Sequence, residues 1–255
     1  MENEHIGVIG GSGFYRLLGM ENARDIFVDT PFGKVKVTVG NIDGKNVAFI
    51  ARHGEKHTLP PHLINYRANV FAMYKLGVRK VIATSAVGSL NSLFRPGDIL
   101  IPDQIIDFTK RRIYTFFDGN FSVKLHTGET RGGVYHVDVT RPYCDELREL
   151  IYKTALDMNL RVHYGGTYIC TEGPRFETPA EIKFFQLIGC DVVGMTNSPE
   201  VFLFKELDIC YALICLITNY AAGMQERITQ EEVLEMFKQR GKVIAELIIR
   251  VIQKL

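Results

Sequence analysis

Five short apolar runs in this chain each end in a cluster of small or polar residues. Residues 5–9 run into the glycines Gly10, Gly11 and Gly13, residues 45–50 into Ala51-Arg52-His53-Gly54, and residues 80–84 into Ser85-Ala86-Val87-Gly88-Ser89. Residues 191–194 lead to Met195-Thr196, and residues 211–218 end on Thr218-Asn219. Runs this short, bounded by turn residues, read as buried strands. Between them lie stretches with helical spacing at 62–76, stopped by Gly77, and at 144–158, 179–188 and 229–252. Strands alternating with helices predict an α/β fold: a single domain over 1–255, with a central mixed β-sheet flanked by helices and ligands at the strand ends.

Further elements come from turn chemistry. Residues 34–39 and 45–50 alternate around the turn Asn41-Ile42-Asp43-Gly44 and read as a hairpin. Residues 99–106 hold a short strand interrupted by a proline, and 166–170 another strand. Residues 110–133 are charged and aromatic without clear periodicity, and a connection of that length is expected to be a functional loop.

Composition narrows the function classes. Lys plus Arg number 30 against 29 Asp plus Glu, a net charge of +1, so no overall field recruits nucleic acid or an anionic membrane, and an anionic ligand must be captured locally. The longest strongly apolar stretch, 210–217, is far short of the roughly 20 residues that cross a bilayer, and MENEH lacks a signal peptide's basic and apolar regions. The expectation is a soluble, cytoplasmic protein. The cysteines Cys144, Cys170, Cys190, Cys210 and Cys215 are odd in number, form no Cys-x-x-Cys pair and sit mostly in apolar segments, so buried thiols are expected rather than zinc ligands or disulfides.

The strand ends carry the candidate chemistry. From Gly11 the pattern is Gly-x-Gly-x-x-Arg16, so the third glycine of the dinucleotide fingerprint is absent, and no Gly-x-x-x-x-Gly-Lys occurs. What remains is a flexible backbone with the Ser12 hydroxyl, able to present donors to one phosphate-sized anion; a plain tight turn is the alternative. Arg52 offers a guanidinium fork and His53 an imidazole, a sensible clamp for free phosphate, against the alternative of surface charge. Ser85 and Ala86 let a ligand approach the backbone, and Thr196 adds a hydroxyl beside the adaptable Met195. In the segment from Thr171 to Thr178, Phe176 can stack on a flat ligand and Glu177 can accept a hydrogen bond, or Glu177 simply charges a helix N-terminus. Asn219 can both donate and accept, or cap a turn. His53, His57 and His62 match no zinc spacing, and Pro60-Pro61 breaks any common helix face, so no metal is expected.

Taken in order, GVIGGSG, DTPFGK, ARHGEKHTLPPHLINYRAN, TSAVGSL, FFDG, TEGPRFET, VGMTNSPE and ITNYAAG resemble the trimeric purine nucleoside phosphorylases, specifically their methylthioadenosine phosphorylase branch. The resemblance spans nearly the whole chain. It implies that family's fold, a homotrimer or a dimer of such trimers, and reversible phosphorolysis of a purine nucleoside with inorganic phosphate as co-substrate and no cofactor or metal. It also implies roles: Ser12, Arg52, His53, Ser85 and Thr196 for phosphate; Ala86 and Met195 for ribose; Phe176, Glu177 and Asn219 for the purine; and His136 reaching a neighbour's site near the 5′ side. His53, Glu177 and Asn219 are the catalytic candidates. Adenine-specific members of the family carry serine after the loop phenylalanine and aspartate in place of Asn219, and a second acidic side chain where Ala221 stands. Glu177 and Asn219 instead look like the pair of 6-oxopurine enzymes. That fits the chemistry, because hypoxanthine and guanine present N1–H to a carboxylate whereas adenine N1 is a bare acceptor. The expected function is therefore a purine nucleoside phosphorylase of purine salvage acting on inosine and guanosine. At the 5′ position the alignment gives Gln230, with Val233 one turn later; glutamine suits a 5′-hydroxyl. The alternatives are 5′-methylthioinosine or 5′-methylthioadenosine phosphorolysis, and a nucleoside-binding protein without catalysis.

Overall fold

The computed structural model describes residues 5–11, 18–54 and 58–255. At its centre β1 (Ile6–Gly10) lies parallel to both β4 (Lys45–Ala51) and β5 (Lys80–Ser89), and β13 (Cys210–Tyr220) lies parallel to β5 on the far side. These strands are apolar and buried on both faces, as a parallel sheet covered by helices requires. Outside β4, an antiparallel meander adds β3 (Gly33–Ile42) and β2 (Glu21–Thr30). Outside β13 come β6 (Ile99–Ile101) and β10 (Val162–Tyr164). A branch forms where the end of β5 pairs antiparallel with β12 (Val192–Gly194), followed by β11 (Thr167–Thr171) and β7 (Gln104–Phe108), giving an 11-stranded mixed sheet.

Helices bury one apolar stripe each against this sheet. One face carries α1 (Tyr66–Lys75) and α4 (Glu200–Glu206), through Phe71, Met73, Leu203 and Phe204. The other carries α2 (Asp145–Asp157) and α5 (Gln230–Lys254), through Leu147, Ile151, Leu247 and Val251. A third cluster seats α3 (Pro179–Leu187) by Ile182 and Phe185 against Ile169 and Val193. Local signals set the helix ends. Asn65 accepts from the Ala68 N–H at 3.1 Å to start α1, and Gly77, at φ 74°, ends it.

The alternation of strands and helices, the hairpin at Asn41–Gly44 and the four long helical stretches stand where the sequence predicts them. Three features differ. Residues 110–133 are not one irregular loop: most of them form a separate hairpin of β8 (Asp118–Lys124) and β9 (Thr130–Val134), whose glycines and exposed faces leave no periodic apolar stripe to read. Strand β2 escapes the sequence pattern for a similar reason, being an almost wholly exposed edge strand. Third, the expectation of five thiols is wrong in part. Cys170, Cys190 and Cys215 are buried free thiols, but Cys144 and Cys210 form a disulfide across 66 residues, with Cα atoms 5.1 Å apart. The sheet brings them together: the Cys144 N–H at the head of α2 donates to the Tyr211 carbonyl at 2.9 Å, beside Cys210. No short Cys spacing announces a pair made by tertiary contact.

Denatured, unreduced protein should therefore titrate three thiols with a thiol reagent, and five after reduction. Reduction should lower stability by up to about 4 kcal/mol, the loop-entropy limit for a closure of this length.

Candidate active site

The parallel strands β1, β4, β5 and β13 end on the same edge of the sheet, and the residues at their ends converge on one cleft of about 520 Å³. This size accommodates a nucleoside-sized ligand with a small anion. Gly11 enters from β1, Arg52 and His53 from β4, and Ser85 and Ala86 from β5; Met195 and Thr196 lie just past β12, and Asn219 comes from β13. Phe176 and Glu177 enter from the loop before α3, and Gln230 and Val233 from the start of α5. The cleft thus collects every candidate side chain named from the sequence except two. Ser12 lies outside the described residues. His136 is exposed and does not line this cleft.

In the cleft floor sits a buried ion pair. Arg52 and Glu200 are 2% and 1% exposed, and the fork is bidentate: Nε and Nη2 of Arg52 donate to Oε2 and Oε1 of Glu200, both at 2.7 Å. Nη1 donates to the Thr84 carbonyl at 3.0 Å. The guanidinium fork that the sequence offers to phosphate is therefore held by Glu200. Of the five N–H donors of a guanidinium, three are engaged among the described residues, and two remain for a ligand. Burial alone would lower the Arg52 pKa, but the Glu200 carboxylate outweighs it and holds the group firmly cationic. Tyr211 completes the assembly, its hydroxyl 2.8 Å from Glu200 Oε1. Nothing in the sequence pattern singles out Glu200, because a charged residue after proline in a helix usually faces water.

Around the arginine stand neutral donors. The Ser85 hydroxyl lies 3.5 Å from that of Thr196 and 3.3 Å from Tyr168 Oη. Gly194 makes room for that tyrosine: a Cβ there would stand 2.0 Å from Tyr168 Oη. His53 donates from Nδ1 to the Leu59 carbonyl at 2.8 Å, which orients the ring at the cleft. Arg112, which the sequence leaves unassigned, is buried, and its guanidinium donates to the carbonyls of Thr171 at 3.2 Å and Glu172 at 2.9 Å and to that of Ser198. It braces the two loops that carry Glu177 and Thr196 against each other.

At the opposite end, Glu177 and Asn219 are nearly sealed from solvent. Glu177 does not charge the helix terminus. That task falls to a capping box, in which Thr178 accepts from the Glu181 N–H at 3.2 Å and Glu181 accepts from the Thr178 N–H at 2.7 Å. Glu177 instead lines the cleft and accepts from the Thr171 hydroxyl at 2.7 Å. Burial raises its pKa above the usual 4.5, and the Thr171 hydroxyl partly opposes that rise. Asn219 reaches the cleft because β13 bulges between Ile217 and Asn219 against β5, which re-aims the side chain. Its Nδ2 donates to the Tyr220 carbonyl at 2.9 Å and its Oδ1 accepts from Thr218 at 2.7 Å, which fixes the amide's orientation and leaves one N–H and one lone pair over. Phe176, 38% exposed, presents its ring beside them. Above, Gln230 stands in a wall that is otherwise apolar: Ile228, Val233, Leu234 and Phe237.

The chain is similar to known proteins along nearly its whole length. Residues 5–253 match the family model described as the phosphorylase superfamily. A 6-oxopurine nucleoside phosphorylase of Pyrococcus furiosus is 50% identical over 248 residues, covering 97% of this chain and 91% of its own. A probable S-methyl-5′-thioinosine phosphorylase of Methanopyrus kandleri is 50% identical over 250 residues, again 97% and 91%. Among solved structures, a methylthioadenosine phosphorylase from an antarctic soil metagenomic library superposes with a TM-score of 0.89 at 33% identity, over 99% of this chain and 86% of that one.

Truncating Glu200 should strand a buried cation. Glu200→Ala is expected to lower unfolding free energy by about 3–5 kcal/mol in a denaturant titration, and Glu200→Gln by less, because it keeps one acceptor for the fork.

Proposed function

The chain belongs to the phosphorylase superfamily, and we propose that it is a 6-oxopurine nucleoside phosphorylase, converting inosine or guanosine and phosphate reversibly to the free base and ribose-1-phosphate. The observation that carries the substrate class is the pairing of buried Glu177 with the orientation-locked Asn219 at one end of the cleft. A carboxylate accepts the N1–H of a 6-oxopurine, and the free amide N–H of Asn219 donates to O6 while its Oδ1 accepts from N7–H. Adenine would set its bare N1 against Glu177. Its amino group would need the Asn219 amide flipped, which would turn an oxygen toward the Tyr220 carbonyl. Ala221 contributes no acidic group that would reverse this preference.

The reaction is divided between the two ends of the cleft. Phosphate is held among Arg52, His53, Ser85 and Thr196, so that one oxygen faces C1′ of a ribose seated over Ala86 and Met195, and the family resemblance implies Ser12 as a further donor. The C1′–N9 bond breaks with its electron pair going to the purine, and the C1′–O bond to phosphate forms. Positive charge on the sugar is met by the anion beneath it. Negative charge on the leaving base is dispersed through Asn219 and Glu177, and N7 takes up a proton from solvent as the phosphate gives one up to solvent, so that the base leaves neutral. The residual charge of the Arg52–Glu200 pair is small, so the anion is bound by directed hydrogen bonds as much as by net charge. Phosphate is the co-substrate, and no step asks for a cofactor or a metal.

His136 supports a homotrimer, or a dimer of trimers. It lies outside this chain's cleft on an exposed segment with the apolar side chains Val134 and Val139, which suits contribution to a neighbouring copy's 5′ subsite. A cytoplasmic salvage role fits a reaction that needs free phosphate and nucleosides; no helix among the described residues is long and apolar enough to cross a membrane. The apolar wall of Val233, Leu234 and Phe237 favours a second reading, phosphorolysis of 5′-methylthioinosine, whereas Gln230 favours the 5′-hydroxyl. Turnover of the two 6-oxopurine nucleosides side by side separates them.

Asn219→Asp is expected to lower kcat/KM for inosine by about 10- to 100-fold, because an ionised carboxylate cannot donate to O6, and to shift the inosine-to-adenosine ratio toward adenosine. An unchanged ratio would remove the basis of the assignment. In the phosphate-free enzyme, hypoxanthine binding should weaken on acidification as Glu177 takes up a proton, with a midpoint above 4.5 because burial raises its pKa. Calorimetric titration across pH tests this, and Glu177→Gln should abolish that dependence.

A further inference from the structure

Helix α5 is 25 residues long, yet its fully buried side chains begin only at Ile244 and its buried positions at Gly241. The stretch 230–240 carries Gln230, Val233, Leu234 and Phe237 along the cleft without a core anchor of its own. Its start shows a diverted cap. Thr229 accepts from the Glu232 N–H at 3.1 Å, and Thr229-x-x-Glu232 has the spacing of a capping box. In α3 the same pattern closes on itself through Glu181 and the Thr178 N–H. In α5 the Glu232 carboxylate turns instead to Gln225, whose Nε2 lies 2.9 and 3.2 Å from its two oxygens.

Gln225 joins three elements with one amide. Its Oε1 accepts from the Tyr220 N–H at 2.8 Å, one residue past Asn219, while Nε2 donates to the Arg227 carbonyl at 2.7 Å as well as to Glu232. The loop between is fixed on its other side by close packing: at Gly223, φ 84°, a Cβ would stand 2.9 Å from Pro179 Cβ. The end of β13, the loop and the first turn of α5 are thereby set relative to one another.

We propose that Gln225 and Glu232 form a latch of positioning residues that fixes the 5′ wall of the nucleoside site at a set distance from the purine contact Asn219, and so governs nucleoside affinity and 5′ discrimination. The proposal rests on the nucleoside reading of the cleft. A hydrogen bond to a charged acceptor, lost at a partly buried site, corresponds to about a tenfold change in an equilibrium constant. The phosphate end, held by Arg52 and Glu200, lies outside the latch and should not respond.

The test is a polarity swap. Gln225→Glu keeps an acceptor for the Tyr220 N–H but sets a carboxylate against both Glu232 and the Arg227 carbonyl, whereas the double variant Q225E/E232Q restores a donor and an acceptor between positions 225 and 232 and leaves only the Arg227 carbonyl without its donor. Q225E should raise the nucleoside KM about tenfold with the phosphate KM changed less than twofold, and change the ratio of kcat/KM between inosine and 5′-methylthioinosine. It should also speed amide hydrogen exchange over 226–240. The double variant should recover about half or more of the loss in KM and exchange protection on a logarithmic scale, the Arg227 contact accounting for the rest. Unchanged nucleoside KM and exchange in Q225E, an equal rise in the phosphate KM, or a double variant no better than the single one would overturn the latch. Were the parent protein to turn over no nucleoside at all, the functional reading would fall, while the exchange data on the same variants would still decide whether the latch exists.

Discussion

A guanidinium and a carboxylate paired in the floor of the cleft, Arg52 and Glu200, set the terms for everything above them. Two charges removed from water are tolerable only where geometry and further hydrogen bonds compensate their lost hydration. Here the fork is bidentate, the Thr84 carbonyl takes a third N–H, and Tyr211 donates to the carboxylate. These partners come from β4, β5, α4 and β13. The parallel sheet, the seating of α4 on it and the floor of the site are therefore one arrangement, and none can shift without exposing or stranding a charge. A nearly neutral floor also suits an anion that must react: it is oriented by directed donors rather than buried under an excess of positive charge.

Most of the fold and of the site is legible in the sequence, and the parts that are not share a cause. Buried parallel strands show as apolar runs, and the small residues after them mark strand ends where a ligand can approach; this places Arg52, Ser85, Met195, Thr196 and Asn219 on one edge. The motif order brings Phe176 and Glu177 to the same place. The features that pattern does not reveal depend on contacts between distant segments. Glu200 looks like a solvated helix residue until Arg52 is set against it. Arg112 looks like loop charge until it braces two carbonyl-bearing loops. Cys144 and Cys210 pair only because β13 carries one of them past the head of α2. The exposed strand β2 and the β8–β9 hairpin bury too little to print a periodic pattern.

The proposed purine and 5′ subsites are specified by different physics. On the proposed assignment, purine selection rests on groups whose orientation is locked by neighbours: the Tyr220 carbonyl and Thr218 hydroxyl fix the Asn219 amide, and the Thr171 hydroxyl holds Glu177. A mismatched base there leaves buried donors and acceptors unpaired, which is a steep penalty. The 5′ end is an apolar wall with one amide, carried on the part of α5 that the core does not grip. On the same proposal, discrimination between a hydroxyl and a thioether there is shallow. Relatives about equally similar to this chain carry the names of both activities.

The most direct measurement is release of the free base from inosine and adenosine, each with and without phosphate, compared as kcat/KM. The Glu177 and Asn219 geometry predicts phosphate-dependent hypoxanthine release with inosine favoured by about a hundredfold or more, from two mismatched polar contacts. Adenosine turned over as well as inosine, or base released without phosphate, would contradict it.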